Sequence, residues 1–293
     1  KVNNSPQIKI TGTAGACVPA EIKFSGILSN PDTSTVSWKW DFANGNVSAQ
    51  QNPATQTYVS AGVFKVNLIA SSSNGCASTA SRTVDIYPLP DLSVSKDNIV
   101  CLGSSTTLQA SGAQTYQWSP SAYLSCTDCA TPVSKPTSAI TYHVKGVSNK
   151  GCVAFDSVSL DVKFPLKINV SKKDTLCFGS SVQLHADGAE QYSWTPQTGL
   201  NNPLIASPKA SPSSSITYQV IGSDSVGCFK DTGYVPIKVY PVPVVNAGDD
   251  KTINVGRQIE IVPQISDDVT SVVWTPSTGV VANNYPGITV KPI

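Results

Sequence analysis

The residues with most scope for chemistry in this 293-residue sequence are its eight cysteines. Six of them recur at regular places. Cys101 and Cys152 lie 51 positions apart, as do Cys177 and Cys228. Cys17 and Cys76 hold corresponding places in an earlier stretch, the second within an Asn74-Gly75-Cys76 turn. The spacing predicts one disulfide per stretch, Cys17–Cys76, Cys101–Cys152 and Cys177–Cys228, and therefore an oxidising compartment. A bridge closing a loop of about 50 residues adds about 2–4 kcal/mol, a useful amount for a small core. Metal binding by these six is the weaker alternative, because no stretch offers four clustered ligands.

The remaining pair is Cys126-Thr-Asp-Cys129, whose spacing suits a redox dithiol, half a zinc site or a small loop-closing disulfide. Redox work asks for a helix amino terminus to lower the thiol pKa, and this stretch reads as a loop. Zinc asks for two further ligands, while the other cysteines are taken up by bridges. The loop disulfide is the preferred reading. His143 and His185 sit at alternate, outward positions with no Cys, Ser or carboxylate pattern around them suggesting a triad, and read as surface residues. Asp249-Asp250, Asp267-Asp268 and Asp41 lie in oxygen-rich loops that calcium favours, but no spacing matches a calcium loop and Asp serves turns equally well. No cofactor is expected, with calcium as the minor alternative. Phe178, Phe229 and Tyr123 are candidate surface aromatics without an obvious row. Neither a catalytic carboxylate pair, a nucleophile elbow nor a phosphate loop is present, so the chain is expected not to be an enzyme.

The elements that must position these groups are repeated. Residues 91–242 carry one pattern twice, without a gap, at an offset of 76. Cys101-Leu-Gly-Ser-Ser returns as Cys177-Phe-Gly-Ser-Ser, Tyr116-Gln-Trp118-Ser-Pro as Tyr192-Ser-Trp194-Thr-Pro, and Gly151-Cys152 as Gly227-Cys228. Repetition signals an array of small domains. It also supplies a control: private chemistry should appear in one copy, folding requirements in both. Period-two alternation, as in Val36-Ser-Trp38-Lys-Trp40-Asp-Phe42 and Val182-Gln-Leu184-His-Ala186, predicts strands. Many short strands with Gly, Asn, Ser and Pro turns predict an all-β chain of tandem immunoglobulin-like sandwiches. Trp40 to Phe64, Trp118 to Tyr142 and Trp194 to Tyr218 are each 24 residues, which places Trp40, Trp118, Trp194 and, by its Trp-Thr-Pro motif, Trp274 in equivalent core positions.

Seams of one pattern, Ile86-Tyr-Pro-Leu-Pro90, Val162-Lys-Phe-Pro-Leu166 and Val239-Tyr-Pro-Val-Pro243, divide the chain into residues 1–89, 90–164, 165–241 and 242–293. Proline there stops the ladder and favours extended backbone, so short semi-rigid joints and a rod on the order of 100 Å are expected. The fourth stretch has Asn254 where Cys177 would align. It ends before counterparts of the Tyr218 strand and of the strand after Cys228, which predicts an open sandwich, left by truncation or completed by a neighbouring molecule.

Net charge is +1 and only Arg82 and Arg257 are arginine, so nucleic acid is not an expected partner. No apolar run of about 18 residues exists to insert into a membrane. With no leader and no methionine, the sequence reads as a mature segment or excised fragment.

Trp40-Asp-Phe42 with Ala-Asn-Gly-Asn, Asn52-Pro-Ala-Thr-Gln-Thr-Tyr58 and Gly62-Val-Phe-Lys-Val-Asn-Leu68 resemble the PKD domain family. The family's Gly-Asp-Gly after Trp-Asp-Phe is Ala43-Asn-Gly45 here, which loses an acidic residue. The later stretches, through Leu124-Ser-Cys-Thr-Asp-Cys129, Thr131-Pro-Val-Ser-Lys-Pro136 and Ile140-Thr-Tyr142, are similar to immunoglobulin-like repeats of large Bacteroidota surface proteins. Those include gliding-motility-associated adhesins carried by type IX secretion. The resemblance implies an extracellular stalk or adhesin segment presenting other modules, with neighbouring domains and a surface glycan or protein ligand as partners. A filament subunit closed by strand exchange and a glycan-binding accessory of a secreted hydrolase are the alternatives.

Overall fold

The computed structural model describes residues 5–30 and 36–291. Every element among them is a β-strand. No helix of the described residues is long and apolar enough to cross a membrane. The chain forms two compact units, residues 1–164 and 165–293.

The first unit holds two hydrophobic cores. One lies between a five-stranded sheet, built from Gly15–Cys17, Ala77–Tyr87, Gly62–Ser72, Val36–Asp41 and Val47–Ser48 in that order, and the small pairs Ile8–Thr11 with Ser25–Leu28 and Ala20–Ile22 with Gln56–Tyr58. The inward row expected at 36–42 is present, with Trp40 and Phe42 fully buried beside Phe24. Trp40 and Phe42 stack at 5.5 Å between ring centroids. The second core, around Trp118, Tyr142, Val144 and Leu160, is backed by a four-stranded sheet ordered Asn98–Cys101, Val153–Lys163, Ile140–Val147, Thr115–Ser119.

The second unit repeats that architecture in residues 165–241. Asp174–Cys177, Lys230–Tyr240, Ile216–Ser223 and Gln191–Thr195 form the large sheet, and the core gathers on Trp194, Tyr218, Val220, Val235 and Ile237. Residues 242–291 build one pair, Val245–Asn246 with Gln264–Ile265, and a three-stranded sheet, Ile259–Ile261 with Gly287–Val290 and Val280–Asn284.

The sandwich class is as read from the sequence, but one alignment changes. Trp118 faces Val144 and Trp194 faces Val220, whereas Trp40 faces Leu68. Phe64 is therefore two residues out of register with Tyr142 and Tyr218. Its half-buried ring packs instead against Tyr58 at 4.7 Å. Equal spacing in the sequence hid a longer loop in the first sandwich.

Candidate functional site

The main correction concerns the cysteines. Cys17 is bonded to Cys152, across 135 residues, with Cα atoms 5.4 Å apart. The expected Cys17–Cys76 and Cys101–Cys152 bridges are therefore not formed. Cys177 is an exposed thiol and Cys76 a half-buried one, so Cys177–Cys228 is not formed either. Cys101 and Cys228 are disulfide-bonded. The Cys17–Cys152 bond does not brace the inside of a sandwich; it fastens one sandwich to the next.

Local structure explains why these two positions meet. Cys17 ends the strand Gly15–Cys17, which runs parallel to Ala77–Tyr87 with Cys17 opposite Tyr87. Val18 N–H donates to the Tyr87 carbonyl at 3.0 Å. This puts Cys17 at the end of the first sandwich, where the chain passes into the second. Cys152 sits in the turn of the hairpin Ile140–Val147 and Val153–Lys163, fully buried. Gly151 in that turn has φ +81°, which other residues adopt only with strain. Ser148 Oγ accepts from Cys152 N–H at 3.1 Å, while Lys150 Nζ lies 5.3 Å from the Tyr87 ring centroid. Covalent bond and cation–ring contact thus share one junction.

The third copy closes the same turn with a carboxylate. Asp224, 5% exposed, accepts N–H bonds from Val226 and Cys228 at 3.0 Å each and from Phe229. Burial pushes its pKa upward, but the backbone donors outweigh that and hold the carboxyl below its ordinary value. Asp231 is lowered as well, chiefly by N–H donation from Ile168 and Thr232.

Four of the five tryptophans donate their indole N–H to a carbonyl further along: Trp40 to Gln50 at 2.8 Å, Trp118 to Cys129 at 2.9 Å, Trp194 to Ile205 at 3.0 Å and Trp274 to Pro286 at 3.3 Å. The first three are buried; Trp274 is only half-buried, a departure from its expected core position. Tyrosine hydroxyls lock the same cores. Tyr58 donates to Phe42 O at 3.0 Å, Tyr142 to Ala122 O and Tyr218 to Thr198 O at 2.7 Å each. Burial raises all three phenols, Tyr58 to about 12.

Cys126 is bonded to Cys129. The loop they close presents the carbonyl that Trp118 uses. His143 is exposed on its strand. His185 is exposed too, yet it has neighbours the sequence did not reveal: Ser207 Oγ at 2.8 Å from Nδ1 and Asp187 Oδ2 at 3.5 Å from Nε2. The Ser207 partner comes from 22 residues away across the sheet, so no local pattern signals it. His185 and Asp187 side chains are 59% and 55% exposed, and water screens such a pair. It lacks the dry, preorganised surroundings of acyl-transfer sites. Asp41 accepts from Ala43 N–H at 2.9 Å, and Asn44 Oδ1 from Asn46 N–H at 3.1 Å, so both serve their own turn. Among the described residues no three His, Cys, Asp or Glu side chains cluster for a metal. Phe178 and Tyr123 are exposed and Phe229 half-buried.

Comparison with known proteins bears on the first sandwich above all. Residues 3–86 match the PKD domain family. A microbial collagenase of Vibrio alginolyticus is 38% identical over 88 residues, covering 30% of this chain and 11% of the collagenase. The PKD1 domain of Vibrio anguillarum Epp is 24% identical, with a TM-score of 0.27, covering 30% of this chain and 99% of that structure. Extracellular domains 3–5 of Drosophila OTK cover 82% of this chain and 98% of theirs, at 10% identity and a TM-score of 0.37. The chain thus spans about a tenth of the collagenase that it matches. Residues 3–86 are similar to PKD domains, at the head of a series of β-sandwiches.

Proposed function

We propose that the chain is a non-catalytic, extracellular stalk or adhesin segment of a larger surface protein, whose work is to space and present other modules. The observation that carries this reading is the Cys17–Cys152 bond, which joins successive sandwiches instead of bracing one. A proline seam alone limits bending; a covalent staple across the same joint also stops the first two sandwiches from being pulled apart. Such a bond suits a segment held under tension outside the cell, where disulfides persist. Export by the type IX route and a surface glycan or protein ligand at the far end belong to this reading, through the resemblance of the later copies.

Single-molecule pulling through both termini tests it. The Cys17–Cys152 bond by itself withholds about 450 Å of contour length, because its 135-residue loop cannot extend and each residue spans about 3.3–3.6 Å. Reduction should release that length. Equal contour lengths in both states would remove the mechanical role. Saturable retention on polysaccharide columns would instead make the chain a glycan-binding accessory.

A further inference from the structure

Repetition supplies a test for private chemistry, and one cluster of side chains meets it. His185, Asp187, Asn169 and Ser207 of the third copy stand where the second copy has Gln109, Ser111, Ser93 and Thr131. All four side chains differ, while the strands under them do not: Asn169 faces Asp187 as Ser93 faces Ser111. The fold keeps the positions and leaves the side chains free.

The backbone sets the group up. Ala186 is buried in the core at 1% exposure, so His185 and Asp187 on either side of it both face outward. The segment is held from both flanks. His185 N–H donates to Ser171 Oγ at 2.7 Å and Ser171 N–H to His185 O at 2.9 Å, while Ala186 N–H donates to Ala206 O at 2.8 Å. The last bond brings Ser207 alongside the imidazole.

Each of the two titratable side chains then has one atom fixed and one atom offered. Ser207 Oγ lies 2.8 Å from His185 Nδ1. Asn169 Nδ2–H donates to Asp187 Oδ1 at 2.7 Å. The atoms left over are Nε2 and Oδ2, which stand 3.5 Å apart. That separation exceeds the ordinary N–H···O range of about 2.7–3.2 Å. It matches the edge of a zinc tetrahedron, since two ligands about 2.0–2.2 Å from the ion stand about 3.4 Å from each other. Metal-binding histidines and carboxylates are oriented in this way, by a hydrogen bond on the second nitrogen and another on the second oxygen.

We propose that His185 Nε2 and Asp187 Oδ2 form a zinc site on the outside of the third copy, with Ser207 and Asn169 as positioning residues. The bound form places the imidazole proton on Nδ1, where Ser207 Oγ accepts it. With two protein ligands the ion keeps two positions for water or for a donor from another molecule. The exposure that disqualifies the group for acyl transfer suits an ion reached from outside. Zinc fits better than calcium or magnesium, which take larger sets of oxygen ligands and gain little from an imidazole. The site is independent of the stalk reading, because neither ligand belongs to a core or a joint.

Zinc chloride titrated into the full chain tests this, with thiols capped by iodoacetamide so that Cys177 does not compete. The imidazole resonances are followed by NMR slightly above neutral pH, and His143, another exposed imidazole, serves as the reference. His185 should shift and saturate at one zinc per chain while His143 stays in place, and magnesium chloride should move neither. Asp187→Ser introduces the residue type that the sister copy already carries, and should weaken zinc binding at least about tenfold. Ser207→Ala and Asn169→Ala should each weaken it about tenfold, with urea unfolding unchanged. Equal shifts at His185 and His143 would reduce the group to a surface ion pair and overturn the site. Unchanged zinc affinity in Asp187→Ser would overturn it as well. Unchanged affinity in both Ser207→Ala and Asn169→Ala would overturn their positioning role.

Discussion

The second and third copies, residues 90–164 and 165–241, share one pattern without a gap, and their differences separate what the fold needs from what it tolerates. Trp118 and Trp194 keep the same bond to a carbonyl 11 residues on. In one copy that carbonyl belongs to the Cys126–Cys129 loop, in the other to Ile205, so the disulfide is one of two ways to hold the same acceptor. The turn before the late cysteine is closed by Ser148 in one copy and by Asp224 in the other. A neutral hydroxyl and a charged carboxylate do the same geometric work, but only the second ties the turn to pH. The Ser207–His185–Asp187 chain occurs in the third copy alone, and its exposure sets it outside what the fold needs.

The tryptophans give the hardest test of this equivalence. Trp118→Ala and Trp194→Ala should each cost about 3–5 kcal/mol in urea unfolding of the affected copy. A difference much above the measurement error would mean that the Cys126–Cys129 loop supports its core in a way Ile205 does not.

The turn residues should break the symmetry. Ser148→Ala is expected to cost about 1 kcal/mol, and Asp224→Ala more, since three N–H donors lose a charged acceptor. The pH dependence has a definite sign. The Asp224 carboxyl is lower in the folded chain than the free value of about 3.9, so its stabilisation is complete above that pH and is lost as pH falls through the folded value. Acid should therefore weaken the third copy relative to the second. Hydrogen exchange from pH 5 down to pH 2.5 reads this out, and Asp224→Ser should shrink the difference, leaving the part that belongs to Asp231.

Removing Cys126 and Cys129 together as serines should cost at most about 2 kcal/mol, because the closed loop is only a few residues long. Melting of the first unit checks it. The smallest effect belongs to His143→Gln and His185→Gln, each the residue type of the sister copy. Both should stay within about 0.5 kcal/mol in the same melt. A larger loss at His185 would mean that its bond to Ser207 matters more than its exposure suggests.

The strand character of the chain was legible from alternation and turn residues, because the side-chain period of a strand and the backbone needs of turns are local properties. Trp40, Trp118 and Trp194 were legible for the same reason, at the centre of alternating rows. The Cys126–Cys129 pair could be read because a bridge across two residues leaves little choice of partner.

The partner of each long-range cysteine was not legible. A constant interval from Cys101 to Cys152 and from Cys177 to Cys228 looks like a bond per copy, but any two positions of a repeat recur at a constant interval whether or not they touch. The same repeat is equally compatible with a bond from one copy to the next. Only the tertiary structure decides between them, by setting Cys17 at the end of its sandwich beside Tyr87 and turning the Cys152 hairpin toward it. What the amino-acid order determined alone was therefore the local: strands, turns and the three buried tryptophans Trp40, Trp118 and Trp194. What the fold decided was the joint between copies, because a bond across 135 residues depends on where two sandwiches meet and not on anything written near either cysteine.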